Sequence, residues 1–154
     1  MKLTISGPLT GQSSNCEPIL RSLPDWFGIE EAIQYYAARI NDLPTFLATT
    51  LSGVVGFMTL LQHSPYAAEI YVMGIREEAH RQGIGRTLIE HGMSYLRGLG
   101  VEYLQVKTLS PSRPDEHYDR TRNFYLSCGF RPLEEMPELW GKENPCLIMV
   151  QKIS

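Results

Sequence analysis

The sequence is poor in cysteine, in excess positive charge and in long apolar runs, and each shortage removes a class of protein. Only three cysteines occur, Cys16, Cys128 and Cys146, widely spaced and with no CxxC pair. This argues against a disulfide framework or a structural zinc site. It fits reduced thiols packed as small hydrophobes in a cytoplasmic protein. Lys and Arg number 14 against 17 Asp and Glu, a formal net charge of −3. A general nucleic-acid binder needs a basic footprint to displace counterions, and none is present. The most apolar stretch, Leu51 to Leu61, is broken by Ser52, Gly53, Gly56 and Thr59. It falls far short of the roughly 20 residues of a membrane-crossing helix. The first fifteen residues carry one lysine and no continuous apolar segment, so no signal peptide is expected there. The four histidines, His63, His80, His91 and His117, have no ligand spacing, and no metal is expected.

What is present is ordinary globular composition, 43% hydrophobic and 20% charged in 154 residues. With no repeat and no Ser/Gly linker, residues 1–154 read as one domain. Leu3 to Ser6 suggests a first strand. Asn15 before Cys16-Glu17-Pro18 suggests the start of a short helix. Ile29, Ile33, Tyr36, Ala37 and Ile40 fall at helical spacing, and Asn41, Asp42 and Pro44 stop that second helix. Thr45–Thr50 and Val54–Gln62 form an expected hairpin, and Glu69–Ile75 a third strand with both faces buried. Gly83–Gly98 reads as a helix with Ile84, Leu88, Tyr95 and Leu99 along one side, ended by Gly100. A strand over Val101–Leu109, a helix over His117–Cys128 capped by Gly129, and strands over Phe130–Leu133 and Cys146–Ile153 complete the chain. The predicted order is β-α-α-β-β-β-α-β-α-β-β, a mixed α/β domain.

The most informative segment is Ile70 to Leu88. A buried strand enters a charged turn and then Gly83-Ile84-Gly85 at a helix start. Small residues there let successive backbone N–H groups point into one concavity, and the helix dipole adds partial positive charge. The result is a ready site for phosphate or pyrophosphate. Arg81 and Arg86 flank it. A P-loop would require Lys where Arg86 stands, and a Rossmann fingerprint a glycine where Leu88 stands.

His80-Arg81-Gln82-Gly83-Ile84-Gly85 resembles the [QR]-x-x-G-x-[GA] signature of the GNAT acetyltransferase superfamily, with His80 in place of Gln or Arg. Phe124-Tyr125 through Gly129-Phe130 is similar to the family's "FY…GF" segment, and the resemblance runs from about Phe46 to the C-terminus. It implies a strongly twisted sheet of about seven strands flanked by about four helices, acetyl-CoA as co-substrate, and N-acetyl transfer to a primary amine by direct attack. By position, the amides of Arg81, Gln82, Gly83, Ile84, Gly85 and Arg86 would hold the pyrophosphate. The backbone of Met73, Gly74 and Ile75 would pair with the pantetheine arm, as a ligand adding a strand.

The same resemblance assigns Tyr125 as general acid toward the CoA sulfur and Glu69 as general base. Glu69 lies 14 residues before Gly83 in an Ala-Glu-Ile context like that of some members. A carboxylate at the lip of an apolar strand suits a base near neutral pH. The other common base position holds Gln105, which cannot act as one, and Tyr118 stands where the family has an asparagine toward CoA. Lys107 and Thr108 end a strand near the expected cleft and either touch the ligand or only fray.

The acceptor region would be built from residues 23–31 and 134–140, both mixing aromatics with carboxylates. That mixture suits a cationic amine through charge pairing and cation–π contact. It also suits a solvated acidic loop anchored by Trp140. The partners expected are a small-molecule or peptide amine, with a homodimer as an option, and neither nucleic acid nor membrane. Two alternatives stand beside this reading: a non-catalytic acyl-CoA sensor, and a protein lysine or N-terminal acetyltransferase.

Overall fold

Strand-forming residues dominate the middle of the chain, and they set the architecture. A computed structural model describes residues 2–154. Strands β1 (Thr4–Leu9), β2 (Thr45–Thr50), β3 (Gly53–Gln62), β4 (Ala67–Ile75), β5 (Tyr103–Leu109), β6 (Arg131–Met136) and β7 (Cys146–Lys152) form one sheet of order β1-β2-β3-β4-β5-β7-β6. Helices α1 (Ser13–Arg21) and α2 (Glu30–Ile40) join β1 to β2. Helix α3 (Ile84–Gly98) crosses from β4 to β5, and α4 (Glu116–Ser127) joins β5 to β6. The order and the count of major elements are those expected from the sequence. A short 3-10 turn, Glu77–Ala79, is additional.

Period-2 alternation divides the core between the two sheet faces. Phe46, Ala48, Met58 and Leu60 pack with Ile84, Leu88, Ile89 and Leu96 of α3. Leu47, Phe57 and Val72 pack with Cys16, Ile19 and Leu20 of α1 and Ile33 and Ile40 of α2. Each fully buried aliphatic side chain contributes roughly 2 kcal/mol of transfer free energy. The stripe of α3 differs from the expected one. Leu99 is exposed, and Ile89, Gly92 and Leu96 are buried instead.

Two helix starts are fixed by side-chain caps that the local sequence pattern does not mark. Helix α1 begins at Ser13 rather than Asn15, because the Asn41 side chain accepts a hydrogen bond from the Ser13 N–H at 3.0 Å. Asn41 ends α2 and caps α1 from 28 residues away. The Asp115 side chain accepts from the N–H groups of His117 and Tyr118 at 2.9 and 3.1 Å, so α4 begins at Glu116. Asp115→Ala leaves both donors without a partner. It is expected to cost about 1 kcal/mol, read as a lower urea midpoint.

Strand β6 runs three residues beyond its expected end. Arg131 to Glu135 are all exposed, so no alternation marked the strand. The expectation for β4 also needs correction. Ala68, Glu69 and Ile70 are buried, but Tyr71, Met73 and Ile75 are only half-buried. The reason lies in the pairing of β4 with β5, which is parallel and confined to Ala67–Ile70 against Tyr103–Val106. Beyond Ile70 the two strands part, and the second half of β4 borders an open cleft.

Candidate functional site

The cleft has a volume of about 1220 Å³. It runs from the glycine loop, along the free edge of β4, to the α1–α2 connection. Pairing with β3 decides which β4 groups face it. The Arg76 N–H donates to the Val55 carbonyl at 2.9 Å, so Arg76–Val55 is a hydrogen-bonded pair. Along an antiparallel ladder such pairs alternate, which makes Gly74–Phe57 bonded and turns the backbone groups of Met73 and Ile75 away from β3. Met73 and Ile75 thus present N–H and C=O groups on the cleft side. Gly74 spends its own on β3. Its place instead requires the absence of a side chain: a Cβ there would meet Ile19 and Phe57 at 3.2 Å. The Ile75 carbonyl accepts from the His80 imidazole Nε2 at 2.6 Å, which ties the loop to the strand end.

The glycine loop gathers unspent donors. Among the described residues, none of the N–H groups from Arg81 to Arg86 has a protein partner, and helical bonding begins with the Thr87 N–H to the Gly83 carbonyl. Gly83 has φ 79° and Arg81 φ 64°, so the chain turns through the left-handed region twice in three residues. Glycine adopts that conformation freely. For Arg81 it costs on the order of 1 kcal/mol. The consecutive donors and the start of α3 make an anion cradle. The Arg86 guanidinium, expected to reinforce it, donates instead to the Ser127 carbonyl and hydroxyl at 3.0 and 3.1 Å. Arg120 of α4 lines the cleft and was missed, since nothing in its spacing marks it.

The two separated motifs meet here. A Cβ on Gly85 would lie 2.8 Å from the Phe124 ring and 3.1 Å from Ile75. Phe124 therefore seats on the glycine, and Tyr125 follows it into the cleft. The Tyr125 ring is buried against Phe124 and Phe130, with centroids 5.4 and 5.6 Å away. Its hydroxyl has no partner among the described residues, yet it is not sealed from the cleft. Burial pushes the phenol well above its ordinary range, with smaller contributions from Tyr118 and Cys128. Tyr118, in the place of the expected asparagine, donates its hydroxyl to the Trp26 carbonyl at 2.9 Å. The Trp26 indole donates to the Thr121 hydroxyl at 3.0 Å and meets the rings of His117 and His80 edge-on. The α1–α2 connection is thereby pinned across α4.

Glu69 sits at the point where β4 and β5 part, 5% exposed. The surround is not the apolar lip expected. Its Oε1 receives the Lys107 ammonium at 2.9 Å and His63 Nε2 at 2.7 Å, with the Gln105 amide farther off at 3.5 Å. Oε2 has no partner among the described residues and is not sealed from the cleft. One oxygen is thus held and the other is free. Lys107 belongs to the site, and it does not fray. Thr108 is buried with its hydroxyl unpartnered. In the sequence His63 is marked only as a histidine without ligand spacing. The hairpin register that sets Leu61 opposite Glu69 was the signal for it.

None of the carboxylates expected at the acceptor end lines the cleft, and two of them are engaged elsewhere. Both oxygens of Glu30 accept from Arg21, at 2.7 and 2.9 Å, which holds its carboxyl near 2, well below the usual range. Glu135 accepts from the Ser110 and Ser112 hydroxyls. Trp26, Phe27 and Trp140 do line the cleft. No group of metal-ligating side chains occurs among the described residues, and no described helix is long and apolar enough to cross a membrane.

Residues 34–132 match the model of the acetyltransferase (GNAT) domain family. An 82-residue stretch is 32% identical to N-alpha-acetyltransferase RimI of Mycobacterium tuberculosis, covering 53% of this chain and 46% of that protein. The match thus spans about half the length of that relative. Among solved structures, a GNAT-family protein from Desulfovibrio desulfuricans superposes with a TM-score of 0.86 at 14% identity, over 99% of this chain and 100% of the other. The yncA protein of Salmonella typhimurium, solved with its cofactor acetyl-CoA, superposes with a TM-score of 0.70 at 14% identity, over 99% and 94%.

Proposed function

Because the chain belongs to the GNAT acetyltransferase family, we propose that it is an N-acetyltransferase that moves the acetyl group of acetyl-CoA directly to a primary amine in a ternary complex. The observation that carries this reading is the run of unspent N–H groups from Arg81 to Arg86 beside the free edge of β4. Pyrophosphate fits the first of these and an amide-containing arm fits the second. The residues that would hold the co-substrate are those of the loop, together with Met73 and Ile75.

Acetyl-CoA supplies an activated thioester: a C–N bond to the amine forms, the C–S bond breaks, and CoA leaves as its thiol. Glu69 Oε2 takes the proton that the amine must lose. Lys107 and His63 hold the other oxygen, so the carboxylate is positioned without being blocked. The Tyr125 hydroxyl gives its proton to the departing sulfur and regains one from solvent. Cleft-side backbone N–H groups of β4 orient the carbonyl to be attacked. The isolated cysteines have no place in this scheme, which fits direct transfer. Cys16 is buried, and its thiol is pushed up to about 12 by desolvation.

The test is CoA release, followed by thiol detection, across a panel of primary amines. Turnover with any amine sustains the reading, and tight acetyl-CoA binding without release from any of them overturns it. Gly85→Val drives a branched side chain into Phe124 and Ile75. It is expected to weaken CoA binding at least about ten-fold by calorimetry, since the loop must move to make room.

A further inference from the structure

We infer that the acceptor is a small primary amine carried on an aromatic or apolar body, with no second positive charge. The inference rests on the acetyl-transfer reading and names its substrate class. The acceptor end of the cleft is walled by rings in an edge-to-face row. Phe27 meets Tyr36 at 6.0 Å between centroids, and Tyr36 meets Tyr71 at 5.5 Å. Leu139 and Trp140 line the same cleft. Such a wall rewards a flat or apolar body.

Charge decides against a polycation. One face of Tyr71 already carries the Arg39 guanidinium, 5.2 Å from the ring centroid, and Arg39 also lies 6.0 Å from the Tyr35 centroid. The carboxylates of Glu30 and Glu135 are bound to Arg21 and to serines. The carboxylates that line the cleft are Glu69 and Glu77; Glu77 belongs to the turn before the glycine loop, and the Glu69 charge is already matched by Lys107 and shared with His63. One amine can give its proton to Glu69. A second cationic group at this end would face Lys107, with no further lining carboxylate there to receive it.

The experiment compares kcat/KM for 2-phenylethylamine and tryptamine with that for spermidine and for a hexapeptide bearing a free N-terminus. Binding of 2-phenylethylamine to the CoA-loaded protein is measured by calorimetry alongside. The arylalkylamines are expected to lead by at least about ten-fold and to bind the loaded protein. Ala32→Glu places an unpaired carboxylate on the half-exposed first turn of α2, in the wall of the cleft. It is expected to reduce the phenylethylamine-to-spermidine ratio at least about ten-fold with CoA affinity unchanged. Preference for spermidine or for the peptide overturns the inference and leaves acetyl transfer standing. CoA release from none of the amines overturns the transfer reading. If 2-phenylethylamine also fails to bind the CoA-loaded protein, both fall.

Discussion

Glu69→Gln lowers kcat by about a hundred-fold or more, while CoA affinity stays within about two-fold. A positioned general base contributes about 10²–10⁴ in rate, and glutamine has the same shape with no basic oxygen. The geometry makes the substitution selective. The side-chain oxygen that His63 and Lys107 hold can still accept from them after the change, so the local structure is kept. Lys107 and His63 are 25% and 40% exposed, so water solvates the charge left behind, and the loss of a buried partner costs far less than in a sealed core. The pH–rate profile gives the sharper readout. The variant is expected to lose the acid limb that belongs to the carboxylate. Glu69 is surrounded by Lys107 and Gln105 of β5, His63 of the hairpin turn, Tyr36 of α2, Tyr71 of β4 and Cys146 of β7. The limb therefore reports the cluster rather than one isolated group. His63→Gln, which removes the imidazole and keeps the carboxylate, is expected to shift that limb without abolishing it. A Glu69→Gln profile that superimposes on the wild type excludes the carboxylate as base.

Legibility in the sequence followed the range of the forces involved. Strands and helices with one buried face were readable, because period 2 and period 3.6 are local. The all-exposed β6 was not, since it has no buried face to mark it. The glycine loop was readable from composition, because left-handed turns and free amides demand small residues. The Arg81 conformation was not, because an arginine at φ 64° is held there by its surroundings. Within the site, Tyr125 and Glu69 stood in motifs, but their neighbours are set by the sheet. Lys107 reaches Glu69 through the parallel β4–β5 register, 38 residues away. The acceptor end stays open between two readings in the sequence for the same reason. Glu30 next to Trp26 and Phe27 looks like a cation site until Arg21, nine residues earlier, takes both its oxygens. Counting carboxylates measures potential charge, and only the fold says how much remains unspent.

Tyr125→Phe is expected to reduce kcat by roughly ten-fold to a thousand-fold and to leave both CoA affinity and thermal midpoint nearly unchanged. The first half of that expectation is what separates a proton donor from a core tyrosine. The hydroxyl makes no hydrogen bond to the described protein, so its removal strands no partner. The ring keeps its contacts with Phe124 and Phe130. A tyrosine whose only duty is packing would lose nothing measurable. Burial holds the phenol protonated well above its ordinary range, so the acid form persists across any neutral or mildly alkaline assay. The sign for stability follows. The unfolded phenol ionises near pH 10 and the folded one only above that. Stability linked to Tyr125 is therefore complete below about pH 10 and is lost as pH rises further. For catalysis, no alkaline fall in kcat below about pH 9 is expected from this group, and any fall seen there must persist in Tyr125→Phe. The departing thiol provides a direct check. Acyl donors whose thiols are more acidic need less help from a proton, so the penalty of Tyr125→Phe should shrink as the leaving thiol becomes more acidic. A penalty independent of the leaving group, or wild-type turnover by the variant, removes Tyr125 from the role of acid.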